Sequence, residues 1–124
     1  MPDSRKAPAA PKNRAAPRTR VLFGGKIVHG DGAFSVDCTI RDLSQTGAKI
    51  TLGQRVAIPS EVWFIDLHSG IAYAAQVVWR RTPYAGLRFG KGIALSSAPK
   101  DLGYLVRLWK ASIFRQSFKG AVRP

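Results

Sequence analysis

Arg14 and Arg18 are separated by three residues and stand just before the first predicted strand, where they could bind an anion. A guanidinium offers a planar fork for phosphate or for the O6/N7 edge of guanine, and a flat face for stacking on a base. Pro17 favours extended backbone around it, so the two arginines do not lie on a regular helix and can wrap around a ligand. Asn13 and Arg20, which flank the pair, are secondary candidates for the same site.

A second group of candidate binding residues lies in residues 42–47, between two predicted strands. An ionised Asp42 only accepts hydrogen bonds, which suits the N1–H and N2–H donors of a guanine base. Ser44 adds a small hydroxyl, and Gly47 permits a turn that brings the backbone close to a ligand. Each motif alone occurs often by chance, and residues 42–47 could simply form an Asx turn. The order and placement of the two motifs together favour a binding site.

The chain lacks the residue patterns of an enzyme. His29 and His68 are far apart in sequence, and neither has a serine or cysteine motif nearby. The carboxylates of the central region stand singly, whereas acid–base catalysis needs two of them in one cleft. No glycine-rich phosphate loop precedes a helix, and no cluster has the spacing of metal ligands. We therefore expect neither catalysis nor a metal or other cofactor.

Composition limits the class of protein further. A length of 124 residues suits one domain, and 45% hydrophobic residues suffice for a packed core. A single cysteine excludes an internal disulfide framework. No apolar run reaches the roughly 18 residues that span a bilayer, and the first residues lack the apolar stretch of a signal peptide. These features predict a cytoplasmic protein without a membrane span.

The positive charge is concentrated at the two ends of the chain. Lys and Arg number 20 against 7 Asp and Glu, a net charge of +13. Residues 1–20 and residues 96–124 each carry six basic and one acidic residue, whereas the middle carries eight and five. Such ends are either solvated tails or binding regions for an anionic partner, namely a nucleotide, a nucleic acid or an acidic membrane.

Period-two alternation of apolar residues predicts six strands. Their expected bounds are 19–29, 34–43, 48–52, 61–67, 71–80 and 84–89. Gly24 and Gly25, inside the first strand, predict a bulge or a sharp bend there. Cys38 falls on an apolar face and is expected to be a core residue and not a nucleophile. Sequential antiparallel strands of this size close best as a small β-barrel, so the expected fold class is all-β.

The chain after the barrel predicts one amphipathic helix over residues 100–116. Ser96 to Pro99 is typical of a helix start, and Asp101 lies in the first turn. The apolar face is expected to pack on the barrel, with a homodimer interface or a membrane surface as alternatives. The apolar residues with helical spacing are Leu102, Leu105, Val106, Trp109 and Ile113. The expected division is a flexible basic arm at 1–13, the barrel at 14–95, and the helix and tail at 96–124.

The two motifs together resemble those of PilZ domains, six-stranded β-barrels that bind the bacterial second messenger cyclic di-GMP. Arg14 and Arg18 match the R-x-x-x-R motif of that family, and residues 42–47 match its D/N-x-S-x-x-G motif. Residues 77–81 and 84–89 resemble the later strands, so the resemblance covers roughly residues 13–93. It implies that the two arginines grip guanine and phosphate, while the second motif lines the opposite wall. Asn13 stands where the family usually has an arginine.

The resemblance implies a stand-alone cyclic di-GMP receptor or adaptor that signals through an unidentified protein partner. The expected mechanism is ordering of the N-terminal arm when the ligand binds. One alternative is a nucleic-acid-binding barrel that uses the basic arm together with Trp63, Trp79 and Phe89. Strand alternation places several of these aromatic residues on apolar faces, which disfavours nucleic acid as the partner. The other alternative is a PilZ-like protein-interaction adaptor that binds no ligand.

Overall fold

The computed structural model describes residues 19–52 and 56–122, with side chains described over 22–52 and 56–114. The predicted arm at 1–13 and the candidates Asn13, Arg14 and Arg18 lie outside these ranges, as does the side chain of Arg20. Seven strands fall within the described residues. They are β1 (Thr19–His29), β2 (Phe34–Leu43), β3 (Gly47–Leu52), β4 (Glu61–Asp66), β5 (Ile71–Arg81), β6 (Tyr84–Phe89) and β7 (Ile93–Ala94).

Strands β1 to β6 form a closed antiparallel barrel, which confirms the predicted fold class. The strand order is β4-β1-β2-β3-β6-β5, and pairing between β4 and β5 closes the ring. The bounds of β1, β2 and β6 equal the predicted ones, and the other three differ by one residue at one end. The short strand β7 was not predicted, because two residues paired with the start of β5 show no alternation of their own.

The interior of the barrel is filled by alternate side chains, as the period-two pattern requires. In β3, Ala48, Ile50 and Leu52 are buried, while Lys49 between them is only half-buried. Cys38 belongs to the same interior cluster, and burial raises the pKa of its thiol to about 12. Its thiol is therefore neutral at physiological pH, in agreement with the expected role as a small core residue.

The predicted bulge at Gly24 and Gly25 is wrong in position. Both glycines pair in regular register with β2, and the irregularity lies earlier, between Arg20 and Phe23. Gly25 has a different reason to be glycine, since a Cβ there would lie 3.0 Å from the Cys38 sulfur. A carbonyl oxygen of β4 would be 3.2 Å away on another side. Close packing inside the barrel thus leaves no room for a side chain at residue 25.

The C-terminal helix packs on the outside of the barrel, as expected. Two short 3-10 turns lead into α1 (Gly103–Val122), so the helix continues beyond the predicted end at 116. Leu105 is fully buried in a cluster with Val28 of β1 and Ile65 of β4. Neither α1 nor the short turns before it form an apolar segment long enough to cross a bilayer.

Two aromatic residues of α1 lie on glycines of the β-turns. A Cβ at Gly32, between β1 and β2, would come within 2.7 Å of the Tyr104 ring. At Gly70, between β4 and β5, it would come within 2.8 Å of the Trp109 ring. Both glycines also have positive φ, +93° and +73°, which disfavours other residues. These contacts hold the first half of α1 against two hairpins at once.

Candidate functional site

The register of β1 and β2 brings the two sequence motifs to the same part of the barrel. Arg20 of β1 is the cross-strand neighbour of Asp42 near the end of β2. Because Arg18 comes only two residues before Arg20, the R-x-x-x-R segment leads directly to the strand pair that carries Asp42. The side chains of the three arginines lie outside the described residues, so the structure fixes the attachment point of this segment and not its contacts.

Asp42 belongs to a row of residues that crosses the outer surface of the barrel. It pairs with Lys49 of β3, which pairs with Gly86 of β6, which in turn pairs with Trp79 of β5. Lys49 lies between buried Ala48 and Ile50 and therefore faces outward. The Asp42 row, as we call it, consists of Arg20, Asp42, Lys49, Gly86 and Trp79.

Irregular pairing beside the row explains why its residues face outward. Ile40 is buried in the barrel, and strict alternation would place Asp42 on the same inner face. A register shift between these two residues adds an extra residue to β2 and turns Asp42 to the outside. A shift between Val77 and Trp79 does the same in β5. The β-bulges thus convert inner positions into surface positions at this row.

Trp79 is held on the outer surface by its contact with Gly86. Its side chain is 41% exposed, and its indole nitrogen occupies the space that a Cβ at Gly86 would need. The neighbouring Lys49 Nζ lies 4.8 Å from the centroid of the Tyr84 ring, within the range of a cation–π contact. The row therefore combines a carboxylate, an ammonium group and an aromatic surface.

Ser44 shapes the turn between β2 and β3. Its backbone N–H donates to the Gly47 carbonyl oxygen at 2.9 Å, and its hydroxyl accepts from the Thr46 N–H at 3.2 Å. The Thr46 carbonyl oxygen in turn accepts from the Phe89 N–H at 2.9 Å, which ties the turn to β6. This part of the motif therefore has a structural function in addition to the expected one of contacting a ligand.

Gly47 is required by the close approach of two strands. A Cβ at this position would overlap the carbonyl oxygen of Leu87 on β6. Its cross-strand neighbour Arg88 donates from Nη2 to the Gln76 side-chain oxygen at 3.0 Å, on the exposed outer surface. Any residue with a side chain at 47 would push β3 away from β6 and disturb the Asp42 row between them.

Three site residues were missed by the sequence analysis: Lys49, Gly86 and Trp79. Trp79 was considered only as a stacking residue for nucleic acid, together with Trp63 and Phe89. The structure separates these three, because Phe89 is buried inside the barrel and Trp63 packs with the cluster under α1. Only Trp79 of the three is largely exposed, so they do not form a platform for successive bases.

The described residues contain no arrangement suited to catalysis or metal binding. His68 stacks on Phe23 with ring centroids 4.0 Å apart, whereas His29 stacks on Phe34 at 5.1 Å. Within the described ranges, no three His, Cys, Asp or Glu side chains are grouped so that they could hold a metal ion. The candidate site is therefore a binding surface.

Comparison with known proteins identifies the family. The family model of the PilZ domain matches residues 12–107, so the chain belongs to the PilZ domain family, whose members are binding and adaptor domains of cyclic di-GMP signalling. The resemblance carried by the two motifs is thereby confirmed. No curated protein sequence gives a significant match to the chain.

Solved structures share the fold at low sequence identity. One is the Bacillus subtilis inhibitor of motility, MotI/DgrA, with a TM-score of 0.53 and 16% identity. The alignment covers 87% of this chain and 53% of that one, so the chain spans about half the length of that protein. Another is the PilZ domain of CeSA from a cellulose synthesizing bacterium, with a TM-score of 0.45 and 11% identity over 77% of this chain and 96% of that one.

Proposed function

We propose that this protein is a receptor for cyclic di-GMP and that the ligand binds on the Asp42 row together with the R-x-x-x-R segment. The observation that carries the proposal is the pairing of Arg20 with Asp42, which attaches one motif of the family beside the other. Family membership and the intact residues of both motifs support the same ligand. The neutral, catalytically empty surface around them is consistent with binding without chemistry.

Each group of the site has a ligand group that it suits. The carboxylate of Asp42 accepts hydrogen bonds from the N1–H and N2–H of guanine. Arg14 and Arg18 provide charge-assisted contacts to phosphate and planar surfaces for a base. Lys49 adds a further cation on the outer surface, and the exposed ring of Trp79 offers a stacking surface at the end of the row.

Ordering of the N-terminal arm is the proposed route from ligand to partner. A ligand with two phosphates would pin the basic segment before β1 against the barrel, which changes the surface that a protein partner meets. Limited proteolysis tests this step: cleavage within residues 1–18 should become slower when cyclic di-GMP is added. Equal cleavage with and without bound ligand would contradict the ordering step and leave ligand binding itself intact.

Titration calorimetry with cyclic di-GMP tests the proposed function. The account expects micromolar or tighter binding, and the same titration reports whether one ligand or a stacked pair binds. Asp42→Ala should weaken binding strongly, whereas Asp101→Ala, the same change at an exposed residue before α1, should leave it unchanged. Failure of the wild-type protein to bind would favour the alternative of an adaptor that works through protein contacts alone.

A further inference from the structure

The helix α1 presents a second face, directed away from the barrel. Arg107, Lys110 and Phe114 are all exposed and follow one another at spacings of three and four residues, so they line one ridge of the helix. The Phe114 side chain is 74% exposed. Leu105, fully buried against the barrel, lies on the opposite side of the helix. We call these three residues the outer ridge.

The outer ridge lies in a strongly cationic part of the chain. Residues 102–124 contain no Asp or Glu. The cations in this stretch are Arg107, Lys110, Arg115, Lys119 and Arg123. A second copy of the same ridge would bring like charges together, which disfavours a symmetric helix pair as its occupant. Charge complementarity instead favours an anionic surface.

We propose that the outer ridge docks on membranes that contain anionic phospholipid. Arg107 and Lys110 would contact the phosphate groups of the lipids, while the Phe114 ring inserts at the boundary between headgroups and acyl chains. A nucleic acid fits this surface less well, because single strands bind in basic grooves with several stacking rings. The ridge is convex and carries one exposed aromatic residue among the described side chains.

The position of the ridge allows membrane contact without any change in the barrel. Leu105 and Trp109 already hold the inner face of α1 on β1 and β4 and on the turn at Gly70. The Asp42 row runs across other strands as far as β5, so the helix does not cover it. The inference is therefore independent of cyclic di-GMP binding, and each could hold without the other.

Vesicle co-sedimentation of the full chain without cyclic di-GMP tests the inference. Vesicles of phosphatidylglycerol and phosphatidylcholine should bind the wild-type protein, and vesicles of phosphatidylcholine alone should not. The double charge reversal R107E/K110E should weaken binding at least about tenfold, because each cation near an anionic surface contributes independently. Phe114→Ser should weaken it less and leave the salt dependence in place.

The matched control is R81E/K91E, which changes the net charge equally at exposed residues outside α1. It should retain most of the binding, and thermal melts of all variants should stay close to wild type because every altered side chain is exposed. An equal loss in the control would overturn the assignment to the outer ridge. Absence of binding to anionic vesicles, or tighter binding to a single-stranded oligonucleotide, would overturn the lipid proposal itself.

Discussion

The indole ring of Trp79 lies directly over Gly86, in the space that a side chain at residue 86 would otherwise fill. These residues face each other across β5 and β6 at the end of the Asp42 row. The contact holds a largely exposed aromatic ring in place before any ligand arrives. A surface that is already ordered loses less side-chain entropy on binding, which favours affinity.

Replacing Trp79 should therefore weaken ligand binding without unfolding the protein. We expect Trp79→Ala to reduce the affinity for cyclic di-GMP by about 1–3 kcal/mol, the usual contribution of one base stacked on an aromatic ring. Titration calorimetry measures the change. Phe34→Ala is the matched control, since this exposed ring lies beside the turn between β1 and β2 and not in the row. Equal affinities for Trp79→Ala and wild type would exclude Trp79 from the site.

The Gly47 position separates a structural function from a ligand function. A Cβ there overlaps the Leu87 carbonyl oxygen, so Gly47→Ala should destabilise the ligand-free protein by about 1–3 kcal/mol. A Cβ at Gly90 meets no atom within 4 Å, and Gly90→Ala should melt like wild type. Thermal melting without ligand makes the comparison. An unchanged melting temperature for Gly47→Ala would mean that β3 and β6 do not approach as described.

Packing of α1 on the barrel should be visible in stability. Trp109→Ala is expected to cost about 3 kcal/mol, because it removes a large ring that lies against Gly70 and the cluster around Leu105. Phe114→Ala, at an exposed position of the same helix, should change stability by less than about 0.5 kcal/mol. Thermal melting combined with light scattering measures stability and oligomeric state together. A Trp109 variant that stays folded and changes only its oligomeric state would indicate a dimer interface instead.

Burial of Cys38 predicts a specific dependence of stability on pH. Its pKa is raised to about 12, mainly by burial, so the unfolded chain loses the thiol proton at lower pH than the folded protein does. The stabilising contribution should thus be complete below about pH 9 and decline between pH 9 and 12. Tyr73, whose pKa is also raised by burial, acts in the same direction at the upper end of this range.

Comparison of wild type with Cys38→Ala isolates this contribution. Denaturant unfolding at several pH values should show a steeper alkaline loss of stability in wild type than in the variant, which keeps only the share due to Tyr73. A thiol reagent at pH 8 should modify Cys38 only after unfolding. Rapid modification of the native protein would contradict the buried position.

The sequence predicts the barrel well because alternation and turn residues are local signals. The bounds of β1 and β2 follow from apolar residues at every second position and from the glycines of the turn between them. The Asp42 row could not be predicted in the same way. Its cross-strand neighbours depend on bulges beside Asp42 and Trp79, and a period-two pattern gives no sign of where one extra residue is inserted.

The residues of the two motifs were predicted from their chemistry and spacing, and their family was confirmed. Lys49 could not be recognised, since an outward lysine in a strand is normally a solvated residue. Its relevance appears only once the register places it between Asp42 and Gly86. The misplaced bulge at Gly24 and Gly25 has a similar origin, because a glycine required by close packing inside a barrel looks the same in sequence as one in a bulge.

The central claim, that the R-x-x-x-R segment and the Asp42 row form one binding site for cyclic di-GMP, is tested most directly by calorimetry of Arg18→Ala. Wild type should bind at micromolar concentration or tighter, and the variant should lose roughly 2–4 kcal/mol of binding free energy, because a charge-assisted contact and a stacking surface are removed together. Arg81→Ala, at an exposed arginine at the end of β5, serves as the control and should bind like wild type. An affinity of Arg18→Ala within about twofold of wild type would contradict the account.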